Sequence, residues 1–118
     1  MFLKILRAKI HRATITEADV DYVGSITIDR DLLDASGILP GESVLVADVQ
    51  NGARFETYTV EGAAGSGIIC VNGAAARLVT VGDKVIIMAF AYAQPDEARS
   101  LHSQVVLVDD HNRIDRTS

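Results

Sequence analysis

Short apolar runs rich in Val and Ile, separated by Gly, Pro, Asn and Asp, recur along the whole chain, and such runs read as strands. Residues 2–15, FLKILRAKIHRATI, form the first of them. Leu3, Ile5, Arg7, Lys9, His11 and Ile15 share one parity there, so Lys9 and His11 are expected to point the same way. Thr16, with Asp19 three residues on, reads as a weak helix cap. Residues 25–28 make a short strand. DRDLLDASG (29–37) reads as one or two helical turns, capped by Asp29 and closed by Gly37. Pro40-Gly41 is a turn. Residues 43–49 are a strand, Asn51-Gly52 is the strongest hairpin signal in the chain, and ARFETYTV (53–60) is the returning strand.

The small-residue loop EGAAGSG (61–67) is expected to be a flexible hairpin end, leading into the strand IICV. NGAAARLV (72–79) enters an Ala-rich turn, and residues 79–83 are a connection. KVIIMAFAYA (84–93) is nearly all apolar, which marks a long strand at the centre of the sheet. PDEARS (95–100) is a helical turn with Pro95 near its start. QVVLVDD (104–110) is the last strand, and the polar tail beyond Asp110 is expected to fray. Six or seven short strands with turn-length helices fit a mainly β fold. Closing the sheet into a small barrel removes its edges.

At 118 residues the chain makes one domain with a modest core, which an oligomer interface would help. Aromatics are only 5% and Trp is absent, so Val, Ile, Leu and Ala must fill that core. The net charge of −5 argues against nucleic acid as a partner, but a local basic pocket for a small anion is compatible with it. The single Cys70 excludes an intramolecular disulfide and a cysteine metal cluster, and its apolar neighbours predict a buried thiol. Lys4, Arg7, Lys9 and Arg12 interrupt the apolar N-terminus, which therefore reads as neither a signal peptide nor a membrane span. The expected compartment is the cytoplasm.

No single motif declares a chemistry. Ser25 follows Gly24 in YVGSITID (22–29), a common turn dipeptide. A serine hydrolase would pair it with a base such as His11, but the nucleophile elbow is absent and no orienting Asp can be named. His11, His102 and His111 lack metal-ligand spacing. The 62–67 segment lacks the Lys-Ser/Thr of a phosphate loop. Asn72-Gly73 alone is a turn, and Arg54 and Tyr58 alone are solvated strand residues.

Taken as an ordered set, the pieces KIHRATIT (9–16), YVGSITID (22–29), NGARFETY (51–58), VNGAAA (71–76) and VGDKVII (81–87) resemble the pyruvoyl-dependent aspartate 1-decarboxylases over nearly the whole chain. The resemblance implies a double-psi β-barrel that assembles as a homotetramer with sites between subunits. It implies conversion of L-aspartate to β-alanine and CO2, feeding pantothenate and coenzyme A synthesis. The cofactor would be a covalent pyruvoyl group made from Ser25 by self-cleavage after Gly24, giving chains 1–24 and 25–118. Its ketone would take the substrate amine as a Schiff base and act as an electron sink. Tyr58 maps to the proton donor. Thr57, Gly73, Ala74 and Ala75 map to substrate contacts, with Thr57 also a candidate to bond the Gly24 carbonyl during cleavage. Lys9 and Arg54 map to the basic residues of the pocket. Gly24 is expected to matter because it lacks a Cβ that would obstruct the attack. A maturation helper protein is a further expected partner, and residues 42–50 carry no matching motif.

Arg54 and Tyr58 share a parity but lie roughly 13–14 Å apart on a straight strand, and Thr57 has the opposite parity. Either the strand coils or bulges near 55–57, or the residues serve sites from different subunits. The rival reading is a barrel that stays uncut and acts as a binding or scaffold module.

Overall fold

The computed structural model describes residues 1–118. Nine strands run in chain order: β1 (Leu3–Thr14), β2 (Glu17–Asp19), β3 (Ser25–Asp29), β4 (Ser43–Asp48), β5 (Arg54–Gly62), β6 (Ile69–Asn72), β7 (Lys84–Ala93), β8 (Gln104–Val108) and β9 (Ile114–Thr117). Two short helices, α1 (Arg30–Ser36) and α2 (Pro95–Ser100), and a 3-10 turn over Gly73–Leu78 join them. The hydrogen-bonded order is β2-β6-β3-β5-β4-β7-β1-β8-β9. That order turns back on itself, because β2 continues the path of β1. Between them Thr16 N–H donates to Ile69 O at 2.8 Å, so the chain leaving β1 lies against β6. β1/β2, β7, β4, β5, β3 and β6 therefore form the small barrel that the strand pattern predicts, with β8 and β9 added outside it. β7 pairs with both β1 and β4, the central place its apolar run implies.

The core is aliphatic, as the scarcity of aromatics requires. Ile10, Ile26, Val46, Val71 and Ile87 come from five different strands and are fully buried. α1 is set by its two ends. Asp29 accepts from Asp31 N–H at 2.8 Å, and Gly37 closes the helix in the left-handed conformation, donating to Leu33 O. Asp29 also accepts from Gly65 N–H at 3.0 Å and Gly67 N–H at 2.8 Å. The loop expected to be a flexible hairpin end is thus pinned by a buried carboxylate.

Three further expectations need correction. Thr16 caps no helix. Residues 17–19 are the strand β2, and the Thr16 hydroxyl bonds the backbone of Ile69 instead. The tail beyond Asp110 does not fray, because β9 pairs antiparallel with β8. Buried Asn112 anchors it, bonding Thr14 N–H and C=O and Gly67 C=O at 2.7–2.8 Å. The parity of the first strand also breaks. Arg12 sits at φ 64, and the pairing with β7 shifts between Ile10 and Ala13. This extra step turns Ile15 inward along with Ala8, Ile10 and Ala13, while Lys9 and His11 stay together on the other face.

Candidate active site at the Gly24–Ser25 bond

Ser25 opens β3, between β5 and β6, directly opposite Asn72. Its side chain is 2% exposed. Asn72 Nδ2 donates to Ser25 Oγ at 3.1 Å and to Thr27 Oγ1 at 3.2 Å. The Ser25 hydroxyl has Val23 O as its own acceptor, at a long 3.5 Å. On the far side of the carboxamide, Asn72 Oδ1 accepts from Cys70 Sγ at 3.1 Å. The Cys70 thiol is buried as predicted. Burial first, then the nearby Glu17 charge, raises its pKa and keeps the proton on sulfur.

The parallel register of β3 and β5 sets Ile26 opposite Thr59. Carried back along both strands, it puts Ser25 beside Tyr58 and Gly24 beside Thr57. Ile26 and Thr59 are both buried in the interior. By alternation Ser25 and Tyr58 leave the sheet on the opposite face, together. Tyr58 is 42% exposed there, open to a small molecule.

Gly24 lies against the start of the 3-10 turn. Gly73 has φ +77, and a Cβ on it would sit 2.6 Å from Gly24 Cα and 3.0 Å from Gly24 N. Only glycine permits this approach. At Gly24 itself a Cβ would meet nothing nearer than Asn72 O at 4.0 Å, an ordinary contact. Gly73 thus carries a steric demand that sequence reasoning did not assign to it. Of the two alanines mapped to substrate contacts, Ala74 is exposed, while Ala75 packs partly against the core.

Lys9 and Arg54 do not join this group. β4 and β5 pair without a register shift from Ser43–Tyr58 to Ala47–Arg54, which removes the bulge proposed near 55–57. Arg54 thus stays a four-residue strand length from Tyr58. Lys9 lies on β1, separated from β5 by β7 and β4, roughly 14 Å along the sheet. One chain brings together Ser25, Gly24, Thr57, Tyr58 and Gly73, and leaves both cations outside. None of the three surface clefts includes Ser25, Tyr58, Lys9 or Arg54. His11, beside Lys9 on β1, is half-buried, and its Nδ1 has no partner. Its pKa is lowered by burial, then by the charges of Lys9 and Arg12.

Asn72, and through it Thr27 and Cys70, are polar groups linked to Ser25 that sequence reasoning did not assign to it. Their proximity follows from the β3–β6 register, which no local motif encodes. In the sequence, Asn72-Gly73 carries only the signature of a turn.

Comparison with known proteins places these observations in a family. The family model described as aspartate decarboxylase matches residues 1–115. An aspartate 1-decarboxylase of Carboxydothermus hydrogenoformans is 60% identical over 114 residues, 97% of this chain and 90% of its own length. One from Lactiplantibacillus plantarum is also 60% identical, over 97% of this chain and 88% of its own. Among solved structures, the rationally designed mkDPBB_sym_86 protein aligns with a TM-score of 0.49 at 21% identity, covering 65% of this chain and 90% of its own.

Proposed function

Because the chain belongs to the aspartate decarboxylase family, we propose that it converts L-aspartate to β-alanine and CO2, in the supply of pantothenate and coenzyme A, using a pyruvoyl group made from its own Ser25. The observation that carries this reading is the setting of Ser25. Its hydroxyl is buried and held by Asn72, and the Gly24 before it lies against Gly73, where a side chain would collide with the Gly24 backbone.

In maturation the Ser25 Oγ attacks the Gly24 carbonyl carbon. The C–O bond forms, the C–N bond breaks, and the hydroxyl proton ends on the Ser25 nitrogen. Thr57, beside Gly24 in register, is placed to donate to the Gly24 carbonyl oxygen as charge develops there. Elimination from the ester releases the Gly24 carboxylate, and water then replaces the nitrogen, which leaves as ammonia. The site fits the resulting group. Made from Ser25, it would be held by the Asn72 carboxamide, whose NH2 reaches Ser25 Oγ at 3.1 Å and would donate to an oxygen there. When in place, the group supplies an electron sink for the pair left behind as CO2 departs.

The chain's own residues do the rest. Tyr58, on the same face as Ser25, delivers a proton to the substrate α carbon. Arg54 grips the carboxylate that stays, because its planar fork matches two oxygens. Lys9 supplies a looser second charge, since a firm pair on the departing carboxylate would stabilise the ground state. The backbone at Gly73, Ala74 and Ala75 lets the substrate approach closely. Arg54 and Lys9 lie far from Ser25 within one chain, so each site draws on more than one copy, in a homotetramer. We place the enzyme in the cytoplasm, with a helper protein as a candidate partner in maturation. No helix is long and apolar enough to cross a membrane.

The test is β-alanine formation from aspartate, followed by NMR, for the parent and for Ser25→Ala. The parent should turn over and the variant should be inert. An active Ser25→Ala chain, or a parent that leaves aspartate untouched, contradicts the proposal.

A further inference from the structure

The carboxamide of Asn72 can sit in two ways, related by turning it over. As it lies, Nδ2 faces β3 and donates to both Ser25 Oγ and Thr27 Oγ1. Turned over, its oxygen would face them and accept from their hydroxyls instead. Both hydroxyls tolerate either setting, since each donates and accepts. The settings differ in what they do to Ser25. When Asn72 donates to Oγ, one lone pair is occupied and the serine proton must point elsewhere, toward Val23 O. The rotamer of the attacking oxygen is then fixed from two sides. When Asn72 accepts instead, Ser25 spends its proton on the carboxamide and loses that second restraint.

The choice between the settings is made at the other end of the amide. Asn72 Oδ1 is buried, and its one donor is Cys70 Sγ at 3.1 Å. We propose that Cys70 is a positioning residue for maturation: its S–H holds the Asn72 carboxamide with the NH2 toward Ser25 Oγ, fixing the hydroxyl for attack on Gly24. This rests on the self-cleavage reading above and adds to it a residue two bonds removed from the reacting atoms. Glu17 also lies near the thiol and competes for its single proton. Glu17 is exposed and can be satisfied by water, whereas Asn72 Oδ1 cannot. A buried thiol with a raised pKa remains a donor at neutral pH, as the arrangement requires.

The test compares Cys70→Ser, Cys70→Ala and Cys70→Val with the parent. Serine keeps a donor. Alanine and valine lack one and bracket the thiol in size. Freshly synthesised full-length chains are incubated, and the rate of cleavage is read by intact mass, alongside the melting temperature of the uncut chain. Cys70→Ser should cut within about 2-fold of the parent. Alanine and valine should both be slower by about 3–10-fold, the weight of one ordinary hydrogen bond. Valine cutting at the parental rate, serine as slow as alanine, or rates that follow melting temperature rather than the donor would each overturn the role of Cys70. A parent that never cuts would overturn the self-cleavage reading, and this role with it.

Discussion

Gly73 lies against the backbone of Gly24, next to the bond proposed for cleavage. A side chain at Gly73 would drive into the backbone of Gly24, while one at Gly24 would meet, beyond its chain neighbours, only Asn72 O at contact distance. In the sequence, both glycines look alike, and the pair Gly24-Ser25 draws attention because the chemistry names it. The contact that restricts Gly73 joins residues far apart in the chain, so it is invisible before folding. Tyr58 is the opposite case. Its partnership with Ser25 comes from a strand register, but its role is legible in the family resemblance alone. It stands exposed beside Ser25, and the proposed cleavage gives it no part. Tyr58→Phe should therefore self-cleave at the parental rate, while decarboxylation slows by about 10²–10⁴-fold, the usual weight of a general acid. Mass spectrometry and β-alanine assays on the same sample check both halves, and parental turnover would move the proton to another donor.

At the scale of elements, alternation and turn signals locate nearly every strand, and they fail where one residue departs from its type. Arg12 adopts the left-handed conformation without being glycine or asparagine, and the apolar parity changes after it. β9 is polar, and its place on β8 depends on backbone pairing and on Asn112, which reaches the end of β1 and the distant loop at Gly67. The β4–β5 hairpin was legible from Asn51-Gly52, but its buried anchor was not. Asp48 accepts from Gln50 and Asn51 N–H through Oδ1, while Oδ2 is buried without a donor. The Asp83 carboxyl lies against it, so a bond between the two forms only when one holds a proton. Burial first, then this neighbour, raises the Asp48 pKa above its ordinary 3.8. A raised folded-state pKa means that Asp48 favours the fold below that ordinary value, and this contribution is lost as pH rises through the folded value. Asp48→Asn keeps a donor for Asp83 at every pH. It should melt higher than the parent at neutral pH, with the difference shrinking on acidification toward pH 4. An equal melting temperature across that range would mean that the two carboxyls do not share a proton.

The molecule is a barrel with β8 and β9 outside it, and the residues proposed for catalysis sit on two regions of its wall. Ser25, Tyr58 and Gly73 lie around β3, and Lys9 and Arg54 lie a sheet's breadth or a strand's length away. The residues were legible in the sequence, and the separation was foreseen as a difficulty of strand geometry. β5 carries no bulge between Arg54 and Tyr58, and the proposed function unites them by assembly. Tyr58→Phe and Arg54→Ala should each be nearly inactive alone. Unfolded together and refolded as mixed oligomers, they should recover measurable activity, because some sites then combine an intact Tyr58 with an intact Arg54 from another copy. No recovery in confirmed mixed oligomers would place both residues in one copy's site. The central claim, that this chain builds its own reactive group at Ser25, is tested most directly by the intact mass of the purified protein under denaturing conditions. The account predicts a 24-residue piece ending at Gly24 and a 94-residue piece whose first residue lacks an amine. A single 118-residue mass from active protein, or a 94-residue piece beginning with an unaltered serine, would contradict it.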